Sequence, residues 1–185
     1  MSKEQKVNEN TNFLLAPWGS RRLIISEYVS EDARRAGEGL LGRDRISSHL
    51  VYFSLGSNLG NKRENLNKAI KLMEEQIGVL LRQSAFLETE PWGFQSDNSF
   101  VNAAICMETE LDPFEVLAKT QEIERELGRT LKSTNGEYHD RIIDIDILLY
   151  DDLHINTPQL TIPHPLMEQR DFVMIPLREI VVGKK

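Results

Sequence analysis

Cysteine is almost missing from this chain: Cys106 stands alone among 185 residues. A lone cysteine excludes an internal disulfide framework, and its apolar setting, Ala103-Ala-Ile-Cys-Met107, reads as a small core residue. Long apolar runs are missing too. None approaches the roughly 20 residues that a membrane helix needs, which excludes a helical membrane protein. The opening Met1-Ser-Lys-Glu-Gln-Lys6 has no apolar stretch of the kind a secretory signal carries. A cytoplasmic location is therefore expected. Positive charge is in deficit, with a formal net charge of −7. That balance argues against a general nucleic-acid binder, which needs a basic surface to displace counterions from phosphates. An anionic ligand would have to be drawn in by local cations, from magnesium and from a few placed arginines. His139, His154 and His164 show no tight ligand spacing, so no zinc site is expected.

What is present is the composition of a soluble globular protein, 40% hydrophobic and 28% charged, at a length that suits one domain. Residues 1–48 differ from the rest: arginines pair at 21–22 and 34–35, glycines stand at 37, 39 and 42, and no periodicity is sustained. The expectation is a largely disordered extension followed by a domain over residues 49–185. The extension holds two lysines and six arginines against seven acids, a net of +1, which leaves −8 for the domain.

Regular patterning begins with the apolar run Leu50-Val-Tyr-Phe53 and a turn-prone stretch, Ser54 to Asn61. Leu66, Ile70, Met73 and Ile77 then recur at helical spacing, with Asn61 and Gly78 suited to the two ends. Val79 to Glu90 and Phe100 to Glu110 read as two strands joined by the loop Pro91-Trp-Gly-Phe-Gln-Ser-Asp-Asn98. Asp112-Pro-Phe-Glu115 is a helix start with a capping box, and Gly128 suits that helix's end. A polar loop leads into one more strand. The order β-α-β-β-α-β predicts an α+β fold of the ferredoxin-like kind, an antiparallel sheet with both helices on one face and the other face free for ligands.

The last strand carries the sharpest chemical signal. In Arg141-Ile-Ile-Asp-Ile-Asp-Ile-Leu-Leu-Tyr150, alternation puts Asp144 and Asp146 on one face and Ile143, Ile145 and Ile147 on the other. Alternate residues of a strand lie about 7 Å apart, within reach of a pair of Mg²⁺ ions about 3.5–4 Å from each other. The same pattern also suits a half-exposed strand with a solvated acidic face, and spacing alone leaves both readings open.

The basic loop before this strand carries Arg129, Lys132 and Arg141. The guanidinium fork matches phosphate oxygens, so Arg129 and Arg141 could meet developing negative charge; surface pairing with Glu126 or Asp140 is the plainer alternative. His164 is held between Pro163 and Pro165, which suits either a phosphate donor or a structural turn. Gly56-Ser-Asn-Leu-Gly60 is a glycine turn that lacks the lysine of a P-loop and the third glycine of a dinucleotide fingerprint. Phe100 and Phe172 read as plain core on composition.

Taken in order, Leu55-Gly-Ser-Asn-Leu-Gly60, Thr89-Glu-Pro-Trp-Gly93, Phe100-Val-Asn-Ala-Ala104, Gln121-Glu-Ile-Glu-Arg-Glu-Leu-Gly-Arg129, Arg141 to Tyr150 and Leu160-Thr-Ile-Pro-His-Pro165 make a specific set. Over about residues 50–180 the chain resembles the 6-hydroxymethyl-7,8-dihydropterin pyrophosphokinase family of folate biosynthesis. The resemblance implies transfer of a pyrophosphoryl group from ATP to the pterin hydroxymethyl oxygen, with release of AMP. By the same resemblance, Asp144 and Asp146 would hold two Mg²⁺ ions, and Arg129 and Arg141 would stabilise charge during transfer. Gln121, Glu124, Thr161 and His164 match nucleotide-site positions. Leu131 and Gln159 stand where some relatives carry arginine, which implies either weaker nucleotide binding or a shift of that task to Lys132. Phe100 and Phe172 would sandwich the pterin, reversing the plain-core reading, while Asn102 and the segment of Thr89, Glu90 and Trp92 read its polar edge. The expected partners are ATP and the pterin alone, with no nucleic acid or membrane, and a monomer is the expected state. One departure stands out: the family's usual tryptophan-glycine-proline run before Arg141 is replaced here by Tyr138-His139-Asp140 in a longer loop.

Overall fold

The computed structural model describes residues 48–92, 96–128 and 140–181. The expected extension, but for Ser48, lies outside them, as does most of the loop before Arg141. The described residues form a mixed α/β structure built on an antiparallel sheet and three α-helices. Strand β1 (His49–Ser57) is central and is flanked by β4 (Phe100–Thr109) and β5 (Asp144–Tyr150); β2 (Gly78–Gln83) pairs with the far side of β4, giving the order β2-β4-β1-β5. A short hairpin of β6 (Ile155–Asn156) and β7 (Thr161–Ile162) follows β5.

Being central, β1 is covered on both sides, and its near-continuous apolar run reflects that. Val51, Phe53 and Leu55 join one core cluster with Leu66, Ala69, Ile70 and Met73 of helix α1 (Lys62–Gln76) and Val116 and Ile123 of helix α2 (Pro113–Glu126). Ile143, Ile145 and Ile147 pack in that same cluster. Leu50 and Tyr52, which alternation turns to the other side, join a second cluster with Ala104, Cys106 and Leu148. Each fully buried aliphatic side chain contributes about 1.5–3 kcal/mol.

The helix ends follow their sequence signals. Asn61 accepts the Glu64 N–H at the start of α1, and Asp112 and Glu115 form a reciprocal capping box on α2. Gly128, with φ of 98°, stops α2 in a conformation that L side chains rarely adopt.

Two expectations need correction. The single strand from Val79 to Glu90 is two: β2 ends at Gln83, and β3 (Leu87–Thr89) resumes pairing with β4. Buried Ser84 occupies the break, accepting the Ala104 N–H on its hydroxyl, so the ladder is interrupted without stranding a donor. Among the described residues the α-helices are also three, not two. Helix α3 (Asp171–Val181) packs Val173, Met174, Leu177, Ile180 and Val181 into the second cluster, on the side expected to be free. Pro176 within α3 disguises it in sequence, since proline forgoes one helical hydrogen bond; burial of those apolar side chains offsets the loss.

The second side of the sheet is therefore divided along the strands. Leu50 and Tyr52 of β1, Ala104 and Cys106 of β4 and Leu148 of β5 share the α3 cluster. Further along the same strands, Ser54 lies between Ala104 of β4 and Asp146 of β5, and Gly56 between Asn102 and Asp144. The three strands switch from apolar to small or polar within one residue pair of each other. The switch leaves a cleft beside α3.

Candidate active site

The floor of the cleft is Ser54, Gly56 and Asn102. One wall is aromatic, made by Trp92, Phe100 and Phe172; the other is ionic, made by Arg141, Asp144, Asp146 and Arg170. Thr89 and Glu90 complete the lining. This mix of apolar wall with a few placed polar groups suits a small-molecule site.

The floor is kept open by a glycine. A Cβ on Gly56 would stand 3.0 Å from the Asn102 Oδ1 and 3.8 Å from the Phe100 ring. Asn102 is buried and donates its amide to the Thr89 Oγ1 at 2.9 Å, which leaves its Oδ1 toward Gly56 as an acceptor at the cleft floor. Trp92 and Phe172 are tilted rings with centroids 6.2 Å apart. Phe172 belongs to the first turn of α3, so the helix that fills half of this side of the sheet also supplies a wall of the cleft.

On the ionic wall, Arg141 Nη1 donates to Asp144 Oδ2 at 2.7 Å. The arginine thus pairs with a cleft carboxylate. Its backbone is fixed from both sides by buried Asn58: the Arg141 N–H donates to the Asn58 Oδ1 at 2.7 Å, and the Asn58 N–H donates to the Arg141 carbonyl at 3.1 Å. Asp146 is approached by the Arg170 Nη1 at 3.9 Å and by the His164 Nε2 at 4.0 Å. Arg170 is 7% exposed, and its guanidinium lies 5.1 Å from the Trp92 ring centre and 5.8 Å from that of Phe172. It stands where the aromatic and ionic walls meet.

Burial, with the Arg170 charge second, pushes His164 down to about 4. The ring is neutral at physiological pH, so its approach to Asp146 is not an ion pair there. Its Nδ1 accepts the Leu166 N–H at 3.3 Å, which leaves the proton on Nε2, directed toward Asp146. The His164 N–H donates to the Leu148 carbonyl at 2.9 Å, tying the Pro-His-Pro segment to β5. Glu124 is buried, and its Oε1 accepts the Ile145 N–H at 2.8 Å. That bond anchors α2 to the residue between the two aspartates.

Of the residues singled out in sequence, Thr89, Glu90, Trp92, Phe100, Asn102, Arg141, Asp144, Asp146 and Phe172 converge on the one cleft. Gln121, Glu124, Thr161 and His164 are not among its lining residues, although Glu124 and His164 contact β5 as described. Arg129 and Lys132 lie outside the described residues. Sequence reasoning missed Arg170, whose only signal is a cation two positions before Phe172, and Asn58, whose role depends on a partner far away in sequence.

The donor set fits magnesium. Asp144 and Asp146 offer hard oxygen ligands on one wall, and among the described residues no group of three or more His, Cys, Asp or Glu could hold a metal. A cation here would complete its shell with water and substrate phosphates, as magnesium commonly does.

Residues 52–182 match the sequence model of the family described as 7,8-dihydro-6-hydroxymethylpterin-pyrophosphokinase (HPPK). The chain is similar to the 2-amino-4-hydroxy-6-hydroxymethyldihydropteridine pyrophosphokinase of Porphyromonas gingivalis, at 52% identity over 132 residues, 71% of this chain and 90% of that protein. It is similar to the Bacillus subtilis protein of the same name, at 41% identity over 72% of this chain and 78% of that one. Among solved structures, the wild-type Plasmodium falciparum HPPK-DHPS with pterin and p-hydroxybenzoate superposes with a TM-score of 0.56 at 17% identity, which is a likeness of fold. The match covers 75% of this chain and 39% of that longer one.

Proposed function

Since the chain belongs to the 7,8-dihydro-6-hydroxymethylpterin-pyrophosphokinase family, we propose that it transfers a pyrophosphoryl group from ATP to the hydroxymethyl oxygen of 6-hydroxymethyl-7,8-dihydropterin, releasing AMP. The observation that carries this reading is a single cleft with an aromatic wall for a flat heterocycle and, opposite, two carboxylates and an arginine for phosphates.

In the reaction the alcohol oxygen forms a bond to the β-phosphorus of ATP and gives up its proton to solvent, while the bond from that phosphorus to the AMP oxygen breaks. Little covalent chemistry falls to the protein, so positioning and charge neutralisation carry the rate. Phe100, Phe172 and Trp92 supply ring faces for the pterin, and flat heterocycles gain more from such faces than from scattered aliphatic contact. Asn102 offers its Oδ1 to an N–H on the pterin edge. Arg141, fixed at its backbone by Asn58, brings a guanidinium to the transferred phosphoryl oxygens, and neutral His164 offers the Nε2 proton to a phosphate oxygen. Asp144 and Asp146 would hold two magnesium ions, which supply Lewis-acid neutralisation of the phosphate charge when bound. In the same reading Arg129 stabilises charge during transfer with Arg141, and Lys132, Gln121, Glu124 and Thr161 belong to the nucleotide side.

The strand order and the split β-α-β connections support a ferredoxin-like description of the sheet. The lone buried Cys106 supports a reducing, cytoplasmic setting. Among the described residues no helix is long and apolar enough to cross a membrane. The reading takes the domain of residues 49–185 as the active unit and as a monomer.

The test is incubation with ATP, Mg²⁺ and the reduced pterin. AMP is expected to accumulate only when the pterin is present. Release of pyrophosphate in place of AMP would assign the cleft to a nucleotidyl transfer instead.

A further inference from the structure

Three loops meet at a carboxylate that the mechanism above does not use. Asp140 Oδ1 accepts from the Asn58 Nδ2 at 2.7 Å and from the Ser96 Oγ at 2.6 Å, and its Oδ2 accepts from the Asn98 Nδ2 at 2.7 Å. Asn58 comes from the loop between β1 and α1, Ser96 and Asn98 from the segment that separates Trp92 from Phe100, and Asp140 from the lead-in to β5. The Ser96 Oγ also accepts the Asn98 N–H at 3.1 Å, so the segment is closed on itself as well as on Asp140. These bonds, the Ser96 hydroxyl foremost, hold the Asp140 carboxyl below its ordinary pKa. The group is therefore ionised at physiological pH, and its acceptors are charge-assisted.

We propose that Asp140 is a positioning residue for the pterin: through Ser96 and Asn98 it ties the residues that lead into Phe100 to the start of the segment that carries Arg141, and so sets the separation of Phe100 from the ionic wall. The proposal rests on the function given above. The two walls respond differently to its loss. Arg141 keeps both of its backbone bonds to Asn58 whether or not Asp140 has a carboxylate. The segment of Ser96 and Asn98 loses the acceptor that joins it to the rest of the site. The phosphate side should hold while the pterin side loosens.

The experiment is steady-state kinetics on the full chain with Asp140→Ala and Asp140→Asn, with amide hydrogen exchange over residues 96–100 as a second readout. Asp140→Ala is expected to raise KM for the pterin about tenfold, the equivalent of about 1.4 kcal/mol, with kcat and KM for ATP within about threefold. Exchange over 96–100 should be faster. Asp140→Asn keeps an oxygen for Asn58 and Ser96 and should restore KM to within about threefold of the parent. Adding Asn98→Ala to Asp140→Ala should cost nothing more, because both remove the same bond. An unchanged pterin KM and unchanged exchange in Asp140→Ala overturn the proposal, as does a fall in kcat with both KM values unmoved. If Asp140→Ala does not fold, Ser96→Ala and Asn98→Ala decide, each expected to raise the pterin KM a few-fold and each overturning the proposal if it does not. Absence of pterin-dependent AMP from the unaltered chain sinks the functional reading, and this proposal with it; activity with an indifferent Asp140 sinks the proposal alone.

Discussion

Replacing Asp144 and Asp146 one at a time by alanine should separate two roles that the strand gives them. Both changes should abolish turnover, because each deletes a ligand for the metal that neutralises the phosphates, and an electrostatic contribution of this sort is worth about 3–4 kcal/mol or a rate factor of several hundred or more. Their effects on folding should differ. Asp144 is bonded to Arg141 at 2.7 Å, with side-chain exposures of 25% and 10% respectively. A charge-assisted bond contributes about 1.5–3 kcal/mol, discounted here to about 1–2 because Asp144 is partly open to solvent. In a domain of this size each kcal/mol moves Tm by about 2–4 °C, so Asp144→Ala should lower it by about 2–8 °C. Asp146 is 35% exposed, and its approaches to the Arg170 guanidinium and the neutral His164 ring, at 3.9 and 4.0 Å, are far longer than the Asp144–Arg141 bond. Asp146→Ala should therefore shift Tm by less than about 2 °C. Neither change touches the packing of Ile143, Ile145 and Ile147, so both variants should fold. The assays are thermal melts by circular dichroism and pterin-dependent AMP release. Equal destabilisation by the two substitutions, or residual turnover within about tenfold of the parent for either, would refute the reasoning.

Gly56→Ala places a methyl group 3.0 Å from the Asn102 Oδ1 and should weaken pterin binding by about tenfold at nearly unchanged Tm, measured by calorimetry with the pterin. His164 has a folded pKa of about 4 against about 6.5 in the unfolded chain. Between those values the unfolded chain binds the extra proton, so stability should fall as pH drops through that window, by about 2–3 kcal/mol in all, and be fully present above about pH 7. Urea midpoints against pH should show that slope, and His164→Gln should flatten it; an unaltered slope in the variant would assign the loss to other groups. Deleting residues 1–48 should leave kcat and both KM values within about twofold, and a large loss would place part of the site in that segment.

The strand with the acid pair was legible because alternation is a local property: Ile143, Ile145 and Ile147 could only be buried by turning Asp144 and Asp146 the other way. The helix starts at Asn61 and Asp112 were legible for the same reason, since a cap and its donor are neighbours in sequence. What stayed hidden was non-local. Asn58 meets Arg141 across more than eighty positions, and nothing in the local pattern of either residue announces it. Arg170 gained its meaning only when the fold brought Trp92 and Phe172 to it. Helix α3 was masked by Pro176, and the split of β2 from β3 by a serine whose hydroxyl substitutes for a ladder bond. Phe100 and Phe172 look alike in composition whether they pack a core or line a cleft; only their position beside Gly56 and Trp92 separates the two.

The bonds that Glu124 and His164 make to β5 bear on self-association. β5 is the last strand of its sheet, and a terminal strand offers a row of backbone groups on which another chain can add itself. Glu124 takes up the Ile145 N–H, and the His164 backbone takes up the Leu148 carbonyl, one near each end of the strand. A second copy approaching this side would find those pairing groups engaged and a cluster of carboxylates at one end. β5 is an edge by topology but a poor template by chemistry. The buried glutamate on α2 therefore engages a backbone donor on the open side of the strand that carries the acid pair, at the residue between the two aspartates.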